Sequence, residues 1–158
     1  MESPESGGDR TESQRIAAFF ERDRFARENG IRVVEVRPGF ARTEMTVESR
    51  HLNSIGILQG GALFTLADLA FAVASNSHGV VAVAYQADVT WFKAVQSGTL
   101  TAAAEEIART RRLSTCLVRS RTRTRTWSGC SRAWLTSKGR PWARRRRLLF
   151  QQRVDGGL

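Results

Sequence analysis

The chain has 158 residues, 41% of them apolar and 25% charged, with a formal net charge of +10. That is about one ordinary domain, long enough to bury a core without disulfides or metal. Two cysteines, Cys116 and Cys130, are too few for a disulfide scaffold or a Cys-rich zinc site, and no apolar run approaches the roughly 20 residues of a membrane span.

Residues 1–13 are rich in Ser, Gly and Glu and read as disordered. They hold no apolar segment of the secretory kind, so the expectation is a soluble cytoplasmic protein. Residues 14–28 read as a helix carrying Ile16, Phe19, Phe20 and Phe25, with Asn29-Gly30 as its stop. Two strands follow. Val33, Val34 and Val36 lead to a turn at Pro38-Gly39, and Thr43, Met45 and Val47 then alternate with Arg42, Glu44 and Thr46.

Residues 49–59 form a loop that ends at Gly60-Gly61. A helix is predicted from about Ala62 to Ser77, with Leu63, Leu66, Ala67, Ala70 and Ala74 at helical spacing. Its other faces are largely apolar too, which predicts burial on most sides. Val80 to Phe92 reads as a long strand, Gln96-Ser97-Gly98 as a turn, and Thr99 to Ile107 as the next strand. The pattern fits an α+β domain with one central helix enclosed by an antiparallel sheet.

The positive charge is not spread evenly. Residues 1–110 hold 11 Lys and Arg against 14 Asp and Glu, whereas residues 111–158 hold 14 against Asp155 alone. Trp127, Trp134, Trp142 and both cysteines also fall in the second part. Two compositions meet near residue 111.

The stretch most suited to chemistry runs from Asn53 to Asp68. A Gly-Gly pair opening a helix allows close approach to the backbone and leaves N–H groups at the positive helix end. Such groups can bind a carbonyl oxygen that gains negative charge during acyl transfer. Asp68 is the only Asp, Glu, Lys or Arg between Arg50 and Asp88. A carboxylate in so apolar a helix is costly unless it is solvated or paired, and facing a cleft it can serve as base or nucleophile. Asn53 has a donor and an acceptor to place a water or a carbonyl. Each has a plainer reading by itself: a loop–helix junction for Gly60-Gly61, a solvated residue or an arginine partner for Asp68, a turn for Asn53. His51 and His78 read as loop and helix-end residues, without metal spacing.

Taken in order, Asn53, Gly56, Gly60-Gly61, Phe64, Leu66-Ala67-Asp68, Phe71-Ala72 and Asn76-Ser77-His78-Gly79 resemble the phenylacetate-pathway (PaaI-type) thioesterases of the hotdog fold. Val81 to Phe92 is similar to that family's second long strand. The resemblance covers roughly residues 30–110, so 14–110 is expected to be the thioesterase domain. It implies hydrolysis of aryl- or medium acyl-CoA, of the phenylacetyl or hydroxyphenylacetyl type, with CoA as substrate and no metal or cofactor. It implies Asp68 as general base or nucleophile, the Gly60 N–H on the thioester carbonyl, and Asn53 placing water or substrate. Gln59 and Gly61 are the expected substrate-binding neighbours. It also implies an active site between subunits, with a dimer as the minimum and a homotetramer as the usual state. The chain departs from the family at Gln59, where histidine is usual; glutamine still donates and accepts but does not titrate near neutral pH.

Residues 111–158 do not match the family's last two strands. Arg and Thr alternate from Arg121 to Thr126, which has strand period but offers no apolar face. An out-of-frame reading explains this. With ordinary GC-rich codons moved back by one base, Thr122 to Ser131 becomes DEDEDVVGLF, an acidic turn followed by an apolar strand. The rival readings are a genuine basic tail that binds nucleic acid through Arg144 to Arg147 and the tryptophans, and an inactive thioesterase remnant. No nucleic-acid motif supports the first of these.

Overall fold

The computed structural model describes residues 11–123 in full and the backbone of residues 127–141. Nearly all of the stretch read as disordered, and the Arg144–Arg147 run, lie outside the described residues.

The segment predicted as one helix forms two, α1 (Glu12–Phe20) and α2 (Arg24–Glu28). Local capping explains both starts. The Thr11 hydroxyl and the Gln14 side chain form a reciprocal capping box at α1. Asp23 caps α2, its Oδ1 accepting from the Ala26 N–H at 3.0 Å, and so restarts the helix three residues after α1 ends. Of the four apolar residues of the expected helix, Ile16 is buried and Phe20 packs against the core, while Phe19 and Phe25 are exposed.

Strands β1 (Arg32–Arg37) and β2 (Phe40–Thr46) form the expected hairpin. Its turn uses Gly39 at φ +70°, a left-handed conformation that favours glycine. The alternation in β2 is realised: Ala41, Thr43 and Met45 point inward and are buried. A 3-10 turn (Ser49–His51) and a loop lead to helix α3 (Gly60–Asn76). Then come β3 (Val80–Trp91), β4 (Thr99–Arg109), β5 (Leu113–Thr122) and β6 (Trp127–Pro141). The sheet is antiparallel in the order β1-β2-β4-β5-β6-β3, so β3 is an edge strand paired only with β6.

Helix α3 lies across the inner face of the sheet. Leu66, Ala70, Val73 and Ala74 meet Met45, Leu100, Ala102, Ala104 and Val118, all within 1% of complete burial. Small residues on both sides let the helix and sheet approach closely. The Thr43 hydroxyl donates to the Leu66 carbonyl at 2.8 Å, which satisfies the only hydroxyl on the inner face of β2. At the far end, Ser77 Oγ accepts from the Gly39 N–H at 2.7 Å. Asn76 pairs with the backbone of Ala82, accepting its N–H at 2.9 Å and donating to its carbonyl at 3.1 Å. The helix end is thereby tied to the first bulge of β3, which lies between Val80 and Ala82. Among the described residues no helix is long and apolar enough to cross a membrane.

Candidate active site

The loop before α3 is organised by Asn53. Its Oδ1 accepts from the N–H groups of Ile55 at 3.1 Å and Ile57 at 3.3 Å, and its own N–H donates to the Ile57 carbonyl at 2.8 Å. Gly56 completes the turn at φ +75°. The side-chain oxygen of Asn53 is therefore engaged by the loop, and its amide nitrogen is the group left to meet a ligand. His51 anchors the same loop. It is buried, its Nδ1 accepts from the Glu48 N–H at 3.0 Å, and its carbonyl accepts from the Gln59 N–H at 2.8 Å.

Gln59 is the N-cap of α3. Its Oε1 accepts from the N–H groups of Gly61 and Ala62, the second at 3.2 Å. Neither glycine has a positive φ, so what bears on each is the space beside it: a local side chain at Gly61 and a distant one at Gly60. A Cβ on Gly61 would lie 2.7 Å from the Gln59 oxygen. A Cβ on Gly60 would lie 3.3 Å from Cε2 and Nε1 of Trp91. With Gln59 holding the next two donors, the Gly60 N–H is the donor at this helix start without an acceptor among the described residues.

That amide lies at a cleft of about 370 Å³ lined by Asn53, Ile57, Leu58, Leu63, Trp91 and Phe92, with Lys93 to Val95 closing one side. The walls are apolar and the polar groups few, the usual make-up of a small-molecule site. The Leu58 N–H donates to the Val95 carbonyl at 2.7 Å and joins the two walls.

Asp68 stands elsewhere on α3. It belongs to the one stripe of the helix that is not buried, with Gly61, Phe64, Thr65 and Ala72. Its carboxyl is held above the ordinary aspartate range, first by the loss of water among apolar neighbours and then by the charge of Asp23. No arginine pairs with it among the described residues, so the plainer reading as an ion-pair partner does not apply. Asp68 is eight residues beyond Gly60, which is ~12 Å along the helix axis. One copy of the chain does not bring the two together.

A second polar cluster lies away from this cleft. Glu106 accepts from Arg109 at 3.1 Å and from the Ser114 hydroxyl at 2.5 Å, and its other oxygen is 3.1 Å from His78 Nε2. The carboxylate sits between serine and histidine, so the hydroxyl meets Glu106 and not an imidazole, and the order differs from a Ser-His-acid relay. Burial pushes the Cys116 thiol up to about 11, which leaves it unreactive. No group of three His, Cys, Asp or Glu among the described residues could hold a metal ion.

Sequence reasoning missed Trp91 and Phe92 as members of the cleft, placing them only on a strand. The available signal was an aromatic pair at a strand end followed directly by Lys93.

Comparisons with known proteins agree with this architecture. Residues 55–126 match the model of the Thioesterase superfamily. The chain is 41% identical over 93 residues to the acyl-coenzyme A thioesterase PaaI of Escherichia coli, covering 58% of this chain and 66% of that one. A protein of Archaeoglobus fulgidus is 47% identical over 77 residues, 48% of this chain and 50% of the other. The chain thus spans between half and two-thirds of these curated relatives. In structure it is similar to E. coli PaaI, with a TM-score of 0.79 at 30% identity over 82% of this chain and 96% of that one. It is also similar to a variant of the phenylacetic acid degradation protein PaaI of Thermus thermophilus, with a TM-score of 0.68 at 31% identity over 71% and 96% of the two chains. Together with the central helix laid across one antiparallel sheet, these matches make the chain a member of the hotdog-fold thioesterase superfamily.

Proposed function

We propose that this protein hydrolyses acyl-CoA thioesters of the aryl- or medium acyl type, such as phenylacetyl- or hydroxyphenylacetyl-CoA, with the cytoplasm as its compartment. The observation that carries the reading is the Gly60 N–H, left without an acceptor at the positive end of α3 and beside an apolar cleft. A thioester carbonyl placed there accepts from that N–H more strongly as its oxygen becomes negative. Asp68 supplies the carboxylate, either activating water or attacking the carbonyl carbon. Both routes give the same balance: a C–O bond forms, the C–S bond breaks, and a proton ends on the CoA sulfur. The E. coli relative carries the name of this activity.

The active unit in this reading is at least a dimer, because Gly60 and Asp68 of one copy are too far apart to touch one carbonyl. The edge strand β3 supports this. Val83 and Tyr85 are each more than half exposed along it, and an open apolar edge is a surface for pairing with another strand. A second copy paired there offers its Asp68 to the first copy's Gly60, and a dimer of dimers is the expected assembly.

The test is thiol release from phenylacetyl-CoA and hexanoyl-CoA by the full chain. Asp68→Asn should lower kcat by about 10²–10⁴-fold while the far-ultraviolet circular dichroism stays unchanged. A variant that keeps its rate overturns the assignment of Asp68.

A further inference from the structure

Trp91 is the residue on which the Gly60 side of the cleft is built. The Nε1–Cε2–Cζ2 side of its indole stands where a Cβ on Gly60 would lie, at 3.3, 3.3 and 3.4 Å. The ring is 54% exposed, so part of it remains open to a ligand. It closes off the last residue of β3 and is followed by Phe92, Lys93, Ala94 and Val95, which continue the same wall. We infer that Trp91 determines which acyl groups this site accepts, by forming the wall that an acyl chain must lie against when its carbonyl reaches the Gly60 N–H.

The inference rests on the thioesterase reading and deepens it. The physical basis is direct. A rigid indole gives a planar acyl group a large apolar contact and takes space from a branched one. Differences of a methylene or two at such a wall are worth about 10–200-fold in kcat/KM. A wall residue also acts on the acyl part alone, so contacts made by CoA should be indifferent to it. Glycine at position 60 suits the same arrangement, because a Cβ there would press on the ring at 3.3 Å.

The experiment uses the full chain and its Trp91→Ala and Trp91→Phe variants. The kcat/KM for phenylacetyl-CoA, hexanoyl-CoA and acetyl-CoA is measured, together with the Kd of free CoA and of the thioether S-phenacyl-CoA, which cannot be hydrolysed. Trp91→Ala is expected to lower the preference for phenylacetyl-CoA over acetyl-CoA by about tenfold or more, to leave the Kd of free CoA within about twofold, and to be largely rescued by Trp91→Phe. An unchanged preference in Trp91→Ala, or an equal loss for all three substrates, overturns the role. If the parent chain releases no CoA from any of them, the thioesterase reading fails. The role of Trp91 is then decided by binding: it stands if Trp91→Ala weakens S-phenacyl-CoA but not CoA, and falls if both change equally or neither binds.

Discussion

The sheet has two halves that treat the same helix differently. Strands β2 and β4 turn Ala41, Met45, Leu100, Ala102 and Ala104 toward α3, with one hydroxyl, Thr43, that is bonded to the helix backbone. Strand β5 turns Ser114, Cys116, Val118 and Ser120 to the same core, so one aliphatic side chain stands where β4 offers three. Each position is buried, but on β5 two of the four carry hydroxyls. Burial is thus common to both halves, while the polar atoms of the inner face are concentrated on β5.

The contrast begins where the charge composition changes, near residue 111. We propose that residues 111–158 are an out-of-frame reading of the last two strands, and that the sparse β5 face follows from it. The largest expected effect is on stability. A chain re-encoded from that point in the shifted frame should resist urea better than the present chain by several kcal/mol, as expected from several added apolar side chains at roughly 1.5–3 kcal/mol each. Equal midpoints would reject the frame proposal, and sequencing the coding DNA from Glu105 to Leu135 decides it independently.

A pair of truncations sharpens the comparison within the existing chain. Leu100→Ala removes a fully buried side chain from the dense half and should cost about 2–5 kcal/mol. Val118→Ala in β5 removes two carbons where Leu100→Ala removes three, and should cost about 1–2 kcal/mol, by the value of roughly 0.8 kcal/mol per buried methylene. Denaturant unfolding measures both. Equal losses would mean that β5 is packed as tightly as β4, and the contrast would dissolve.

The smallest effect concerns Asp68. Its folded carboxyl titrates above the unfolded one, so the native state holds the proton more tightly. Ionising it therefore costs stability as pH rises from about 4, the unfolded value, through the raised folded value. Below pH 4 both states are protonated and the cost vanishes. Asp68→Asn should be more stable than the parent at neutral pH and equal to it in acid, with the gap opening across that window. A constant gap at all pH values would show that the carboxyl's charge is not its cause.

Much of this was legible before any coordinates. The hairpin at Pro38-Gly39, the start of α3 at the glycine pair and the alternation of Thr43 and Met45 are local or periodic signals, and each appears where the pattern places it. The break between α1 and α2 was not read, because the cap at Asp23 competes with a helical pattern that runs on past it. Two spatial relations had no local signal. Trp91 meets Gly60 across 31 positions of sequence, and only the fold brings them together. The exposure of β3 was equally hidden: a long run of Val, Ala and Tyr reads as a strand without telling its place, and the sheet order leaves it at the edge. Gln59 shows the converse. Its difference from the family histidine was visible, while its task as a helix cap required the geometry.

The Asn76 carboxamide has a consequence for that edge. By giving and receiving one hydrogen bond with Ala82, it behaves as a strand residue carried on a helix end. Successive side chains in a strand point to opposite faces, so a slip of one residue would exchange everything β3 shows on either side. The bond at its root fixes the phase of the strand. What the edge presents over its first residues, up to the second irregularity between Ala84 and Gln86, is thus held in part by a single amide at the end of α3, before any neighbour arrives to read it.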